Sequence, residues 1–145
     1  MGFLRYNFRP ARIYLGDTGS LFIGLMLAAL SMNGSYTRVS LLGVIAPILI
    51  LGVPIFDMLL VIYIRLRRRI PIMHGSPDHF PLRLRKWRLT VEQTVLSSYA
   101  ATTILGVLAL ILVRMDTTSA MVMAFSVLVI SLGFAYYLRK IDMTL

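Results

Sequence analysis

The sequence predicts an all-α integral membrane protein, a bundle of about four transmembrane helices with a basic cytoplasmic loop over residues 65–93. Three observations lead there. Of 145 residues, 58% are hydrophobic and 14% charged, and the mean hydropathy is +0.81, whereas a soluble domain carries about a quarter charged residues. The apolar residues fall into runs comparable to the ~20 residues that cross a bilayer. The 15 Lys and Arg, set against 6 Asp and Glu, stand as punctuation between those runs. That placement excludes a nucleic-acid face, which needs a solvated basic surface, and the apolar content excludes disorder. Without cysteine there is no disulfide framework, thiolate metal site or cysteine nucleophile.

Met1 to Leu15 spreads Arg5, Arg9 and Arg12 among aromatic residues and lacks the apolar core and cleavage site of a secretory signal. Ser20 to Met32 is the first apolar stretch. Its 13 residues make only ~20 Å of helix, so the helix is expected to begin inside Gly16-Asp17-Thr18-Gly19, or else to cross only part of the bilayer. A polar turn follows at Asn33 to Arg38. Val39 to Ile64 has 26 residues, enough for a tilted span of ~39 Å, with kinks expected from Pro47 and Pro54. After the basic loop come Val95–Val113 and Thr118–Leu138, joined by Arg114-Met115-Asp116-Thr117. Tyr136 and Tyr137 read as an interfacial aromatic belt, and the nine methionines as lipid-facing or core filler. No internal repeat or soluble domain interrupts the chain, so residues 1–145 read as one membrane domain.

With four spans, the N-terminal segment, the basic loop and the C-terminus share one side. That side holds 13 of the 15 Lys and Arg, and only Arg38 and Arg114 lie opposite. The positive-inside rule makes the rich side cytoplasmic, giving a multi-pass membrane protein with both termini inside.

Three features invite a chemical explanation. Asn7-Phe8-Arg9-Pro10-Ala11-Arg12 leads into Gly16-Asp17-Thr18-Gly19-Ser20, at the cytoplasmic mouth of the first span. Glycines let backbone amides approach a phosphate, a helix N-terminus adds positive potential, and a carboxylate there suits Mg²⁺. An N-cap at Asp17 or Thr18 with a glycine turn accounts for the pentapeptide equally well. Asp57, eight residues before Arg65, falls ~12 Å inside the helix end. A carboxylate within a span marks a functional site by default, or else a structural partner for an arginine or a helix end. The basic loop sets Ser76-Pro77-Asp78-His79-Phe80 between Arg67-Arg68-Arg69 and Arg83, Arg85, Lys86 and Arg88. Such arginines hold topology against anionic lipid or clamp a diphosphate. His74 has no assigned role.

In this order the pieces resemble the polyprenyl-phosphate N-acetylhexosamine-1-phosphate transferases, a family related to the phospho-MurNAc-pentapeptide translocase. The resemblance rests on Gly2-Phe3-Leu4, Asn7-Phe8, Pro10-Ala11-Arg12-Ile13 and Gly16-Asp17-Thr18-Gly19-Ser20-Leu21, then on Pro54-Ile55-Phe56-Asp57 and the loop with Asp78-His79. It covers about residues 2 to 90. It implies transfer of a sugar-1-phosphate from a UDP-N-acetylhexosamine to polyprenyl (undecaprenyl) phosphate, releasing UMP, with Mg²⁺ as cofactor. The setting would be cell-envelope glycan synthesis, such as lipopolysaccharide O-antigen or teichoic acid. It further implies Asp17 as metal ligand and catalytic carboxylate, Asp57 as a second catalytic carboxylate, and Asn7, Gly16, Thr18, Gly19, Ser20, Asp78, His79 and Arg83 as substrate-binding residues. The partners implied are donor, polyprenyl phosphate and bilayer, with no nucleic acid, and a homodimer is admitted.

Two departures stand out. The family's His-x-His-His-Arg-Leu string reads His79-Phe80-Pro81-Leu82-Arg83-Leu84 here, without the middle histidines. The family's adjacent Asp-Asp pair and its Asp-Gly-x-Asp-Gly segment are absent, so the chain is expected to be a C-terminal fragment, inactive by itself. Two other classes remain: a non-catalytic membrane subunit or small transporter using Asp57, and an anion-binding anchor using Arg67, Arg68 and Arg69.

Overall fold

The computed structural model describes residues 2–8, 10–33, 42–71 and 78–141. Arg9, the Gly34–Arg38 part of the expected turn, and His74, Ser76 and Pro77 of the loop lie outside the described residues. Two compact units are present, residues 1–39 and 40–145.

The first unit holds α1 (Gly2–Asn7) and α2 (Gly16–Asn33). Between them the chain turns back on itself: the amides of Arg12 and Ile13 donate to the Tyr6 carbonyl at 2.8 and 3.3 Å, and Asn7 Nδ2 donates to the Ile13 carbonyl at 2.9 Å. As the short apolar run required, α2 starts at Gly16 and reaches 18 residues, or ~27 Å.

The second unit holds α3 (Leu42–Ile50), α4 (Gly52–Arg68), α5 (Phe80–Lys86), α6 (Val91–Leu112) and α7 (Thr117–Arg139). All regular structure among the described residues is helical. The single kinked span expected over Val39–Ile64 is instead two helices at 73° to each other. Proline chemistry gives the reason. Pro54 has no N–H to donate to the Ile50 carbonyl four residues earlier, and its ring crowds that oxygen. The break therefore falls at Leu51, whose amide still bonds Pro47 and whose carbonyl accepts from Ile55, both at 3.0 Å. Gly52 opens α4 where a Cβ would meet Leu105 Cδ1 at 2.7 Å, so the break packs tightly on α6. Helix α4 runs four residues beyond Ile64 and ends with Arg69 in the left-handed region (φ 56°), its amide on Leu66 and that of Ile70 on Arg65, a Schellman closure.

Helix α6 begins at Val91, earlier than the expected Val95, because Thr90 and Gln93 form a capping box. Helix α7 is capped by Asp116, whose Oδ2 accepts from the Ser119 amide at 3.0 Å. That amide holds the Asp116 carboxyl below its ordinary range.

Two apolar clusters knit this unit. Ala46, Leu49, Ala109, Leu112 and Ala120 join α3, α6 and α7, while Leu60, Ile64, Phe80, Leu84 and Leu138 join α4, α5 and α7. Elsewhere the apolar surface faces outward: on α7, Phe125 and Ile130 are 66% and 70% exposed. A helix apolar all round without protein cover is suited to lipid. Among the described residues α6 and α7 are long and apolar enough to cross a membrane, and the α3–α4 pair makes a third if its two halves form one broken span. Helix α2 is a shorter apolar helix.

Candidate functional site

In the first unit the Gly-Asp-Thr-Gly-Ser turn opens α2. Gly16 sits at φ +65°, which other residues adopt only under strain. Asp17 lies exposed in the first helical turn, and the Ser20 hydroxyl donates to its carbonyl at 2.9 Å. Among the described residues the Asp17 carboxylate has no hydrogen-bond or ion-pair partner. Thr18 is exposed beside it, and Gly19 lies under the Leu15 side chain, where a Cβ would meet Leu15 Cγ at 2.7 Å. Asn7 spends its amide on the Ile13 carbonyl and so shapes the approach to this turn.

In the second unit the loop residues come together around α5. Asp57 supplies both oxygens: Oδ2 lies 2.7 Å from His79 Nδ1, and Oδ1 accepts the Phe80 amide at 2.7 Å. The carboxylate thus caps α5 from 23 residues upstream, doing for an orphan helix amide what a local Ser or Asp commonly does. Phe56, its neighbour, stacks on Phe134 at 5.7 Å and meets Phe80 edge-on at 6.2 Å. His79 keeps half its side chain exposed, at 48%.

Below it Arg83 has no exposed surface. Nη2 bonds Asp78 Oδ1 at 2.5 Å, Nε bonds the Asp78 carbonyl at 3.1 Å, and Nη1 bonds the carbonyls of Leu138 and Ile141 at 3.0 and 2.9 Å. One guanidinium therefore closes the loop and caps the end of α7, leaving at most one of its five N–H groups for anything else. Asp78 is buried with it, and Arg68 approaches the same carboxylate at 3.9 Å. Within the loop over 65–93, Phe80, Arg83 and Leu84 are buried against the rest of the unit, while Leu82, Arg85 and Lys86 stay exposed. The physical reason is the mixture of residues in this segment. Two large apolar side chains alternate with an arginine whose charge is fully matched inside.

Sequence reasoning missed Tyr63, whose hydroxyl accepts from Arg139 at 2.7 Å and Arg67 at 3.3 Å. It also missed Arg65, buried and donating to the Pro71 carbonyl at 2.7 Å. Nothing in their spacing separated these two from the other basic and aromatic residues at a helix end. Among the described residues no three His, Asp or Glu side chains gather as a metal-binding group.

The family model described as glycosyl transferase family 4 matches residues 1–35, the segment that contains Asp17 and its glycines. That segment is thus similar to glycosyl transferase family 4. Over 112 residues the chain is 42% identical to the probable undecaprenyl-phosphate N-acetylglucosaminyl 1-phosphate transferase of Bacillus subtilis, covering 77% of the chain and 31% of the relative. Against the decaprenyl-phosphate N-acetylglucosaminephosphotransferase of Mycobacterium leprae the identity is 39% over 79 residues, 46% of the chain and 20% of the relative. A 27-residue stretch is 70% identical to the phospho-N-acetylmuramoyl-pentapeptide-transferase of Chlamydia trachomatis, 19% of the chain and 8% of that protein. The chain thus spans about a third or less of the length of these relatives. No solved structure matches it.

Proposed function

We propose that this chain serves a polyprenyl-phosphate sugar-1-phosphate transferase of the bacterial plasma membrane. The acceptor's phosphate oxygen attacks the sugar-bearing phosphorus of a UDP-N-acetylhexosamine. A new P–O bond forms, the bond to the uridylyl group breaks, and UMP leaves. The observation that carries this reading is the open Asp17 carboxylate at the head of α2, in a segment matched by the family model and in a chain 42% identical over 112 residues to a probable transferase.

Asp17 fits one protein ligand of Mg²⁺, because its carboxylate is exposed and holds no other partner among the described residues; Mg²⁺ takes one or two carboxylates and fills its shell with water and phosphate oxygens. When bound, the ion would neutralise charge on the donor diphosphate, the main need of phosphoryl transfer. Gly16 gives the chain its turn, and Ser20 secures that turn through the Asp17 carbonyl. Within the second unit His79 keeps an exposed ring, with Asp57 as a positioning residue that fixes it. Asp78 and Arg83 hold the loop in place from within. We assign four spans with both termini and the loop cytoplasmic, from the 13-to-2 division of Lys and Arg.

The test is release of UMP from UDP-N-acetylglucosamine by the intact protein in membranes, with polyprenyl phosphate and Mg²⁺. Release that requires both supports the reading. No release, or release without polyprenyl phosphate, overturns it. The transporter reading gains nothing from the structure, since both oxygens of Asp57 are already engaged.

A further inference from the structure

The ends of α4 and α7 meet in a group of cations that the transferase reading leaves unused. A neutral hydroxyl, that of Tyr63, holds the guanidinium groups of Arg67 and Arg139 together at 3.3 and 2.7 Å. The Arg139 guanidinium carbon and the Lys140 ammonium lie 4.5 and 4.9 Å from the centre of the Tyr136 ring. Among the described residues no carboxylate lies within ion-pair distance of Arg67, Arg139 or Lys140. Among the described residues three positive charges are thus gathered with no carboxylate beside them, against their mutual repulsion.

Complementing the helix dipole explains one cation near each helix end. It does not explain why two helix ends share one hydroxyl between their arginines, nor why a third cation shares a ring with one of them. The rings supply the placement. Tyr136 and Tyr137 are 52% and 44% exposed at the end of α7, a helix long enough to cross the bilayer, and Tyr63 of α4, bonded to Arg139, is 43% exposed. Exposed tyrosines at a span's end sit at headgroup depth. At that depth the abundant anion is a lipid phosphodiester, and guanidinium N–H groups match its oxygens two at a time.

We propose that Tyr63, Arg67, Arg139 and Lys140 form a binding site for the phosphodiester headgroup of an anionic bilayer phospholipid. The site rests on α7 crossing the membrane, not on any substrate assignment. It would fix the α4–α7 contact only in membranes that contain such lipid.

The protein carries its own reporter. Trp87 is the one tryptophan in the chain, and its ring lies 5.3 Å from that of Tyr137 beside the site. In phosphatidylcholine nanodiscs carrying a small fraction of brominated phosphatidylglycerol, Trp87 fluorescence should be quenched more than by the same fraction of brominated phosphatidylcholine. Arg139→Gln and Lys140→Gln should each lower that preference about fivefold. Arg67→Lys with Arg139→Lys keeps the charge but loses the paired N–H groups, so it should retain more of the preference than the Gln variants and less than the wild type, separating lost binding from lost folding. Arg114→Gln, at the other end of α7, should leave it unchanged. Equal quenching by the two lipids overturns the proposal, as does an undiminished preference after Arg67→Gln, Arg139→Gln and Lys140→Gln together. Reversal by millimolar inorganic phosphate overturns it in favour of a soluble anion.

Discussion

Asp17 and Asp57 are both aspartates on apolar helices, and from the sequence each could be the reactive carboxylate. Their surroundings differ. Asp57 receives a histidine and a backbone amide at 2.7 Å each, and Asp78, in the same unit, is buried against Arg83. Asp17 stands exposed at a helix start with no partner among the described residues. A carboxylate whose oxygens are satisfied by the fold has little left for a ligand, and removing it unravels what it holds. A carboxylate left open contributes little to folding and is available for a cation. The second unit therefore uses Asp57 and Asp78 to close a loop onto a helix bundle, and the first leaves Asp17 open.

The largest expected effect breaks this contrast on the functional side. Asp17→Asn in the intact protein should lower UMP release by about two orders of magnitude or more, in line with loss of a key electrostatic contact, with membrane insertion and thermal unfolding unchanged. A wild-type rate removes Asp17 from the site. Next in size is the structural counterpart. Arg83→Met leaves Asp78 buried without its guanidinium and the α7 carbonyls uncapped, which should cost about 3–5 kcal/mol. Thermal unfolding in detergent measures it, and adding Asp78→Leu should recover part of the loss. A stability equal to wild type for Arg83→Met would mean that the loop is not held as described.

Much of this was legible in the sequence, and the limits have physical causes. Helix α7 was read to within one residue at each end, because Asp116 and the Arg139–Lys140 pair bracket an apolar run of spanning length. The short run after Ser20 forced the start of α2 back into the glycine motif, where it is found. The α3–α4 break was underestimated, since composition shows where prolines fall but not whether the helix bends or parts. The burial of Arg83 inside the loop was not legible, because arginine counts as a surface residue until its partners are known. Those of Arg83 lie 5, 55 and 58 residues away, beyond any local pattern. The double use of Asp57 as cap and histidine partner is likewise a product of tertiary folding.

The remaining predictions sharpen the contrast at smaller scale. Asp57→Ala removes an acceptor from both His79 and the Phe80 amide, and should destabilise the second unit by about 1.5–3 kcal/mol, as expected for hydrogen bonds to a charged group. Asp57→Asn can keep one acceptor for Phe80 and should lose less. Hydrogen exchange at the start of α5 would resolve the two, and equal protection in both variants would remove the capping role. Thr90→Ala, which opens the capping box of α6, should cost about 1 kcal/mol, read from thermal unfolding.

Asp116 gives the smallest effect and tests a carboxylate committed to the local backbone. Its carboxyl is held below the ordinary value first by the Ser119 amide, so the folded state favours the charged form more than the unfolded state does. The resulting stabilisation is present in full above the unfolded value and is lost as pH falls through the depressed folded one. Unfolding followed from neutral to strongly acidic pH should therefore show a decline that Asp116→Asn removes. Asparagine caps a helix about as well as aspartate, so the variant should match the wild type near neutrality and diverge only in acid. An acid profile identical in the two proteins would show that the α7 cap carries no charge-dependent stability.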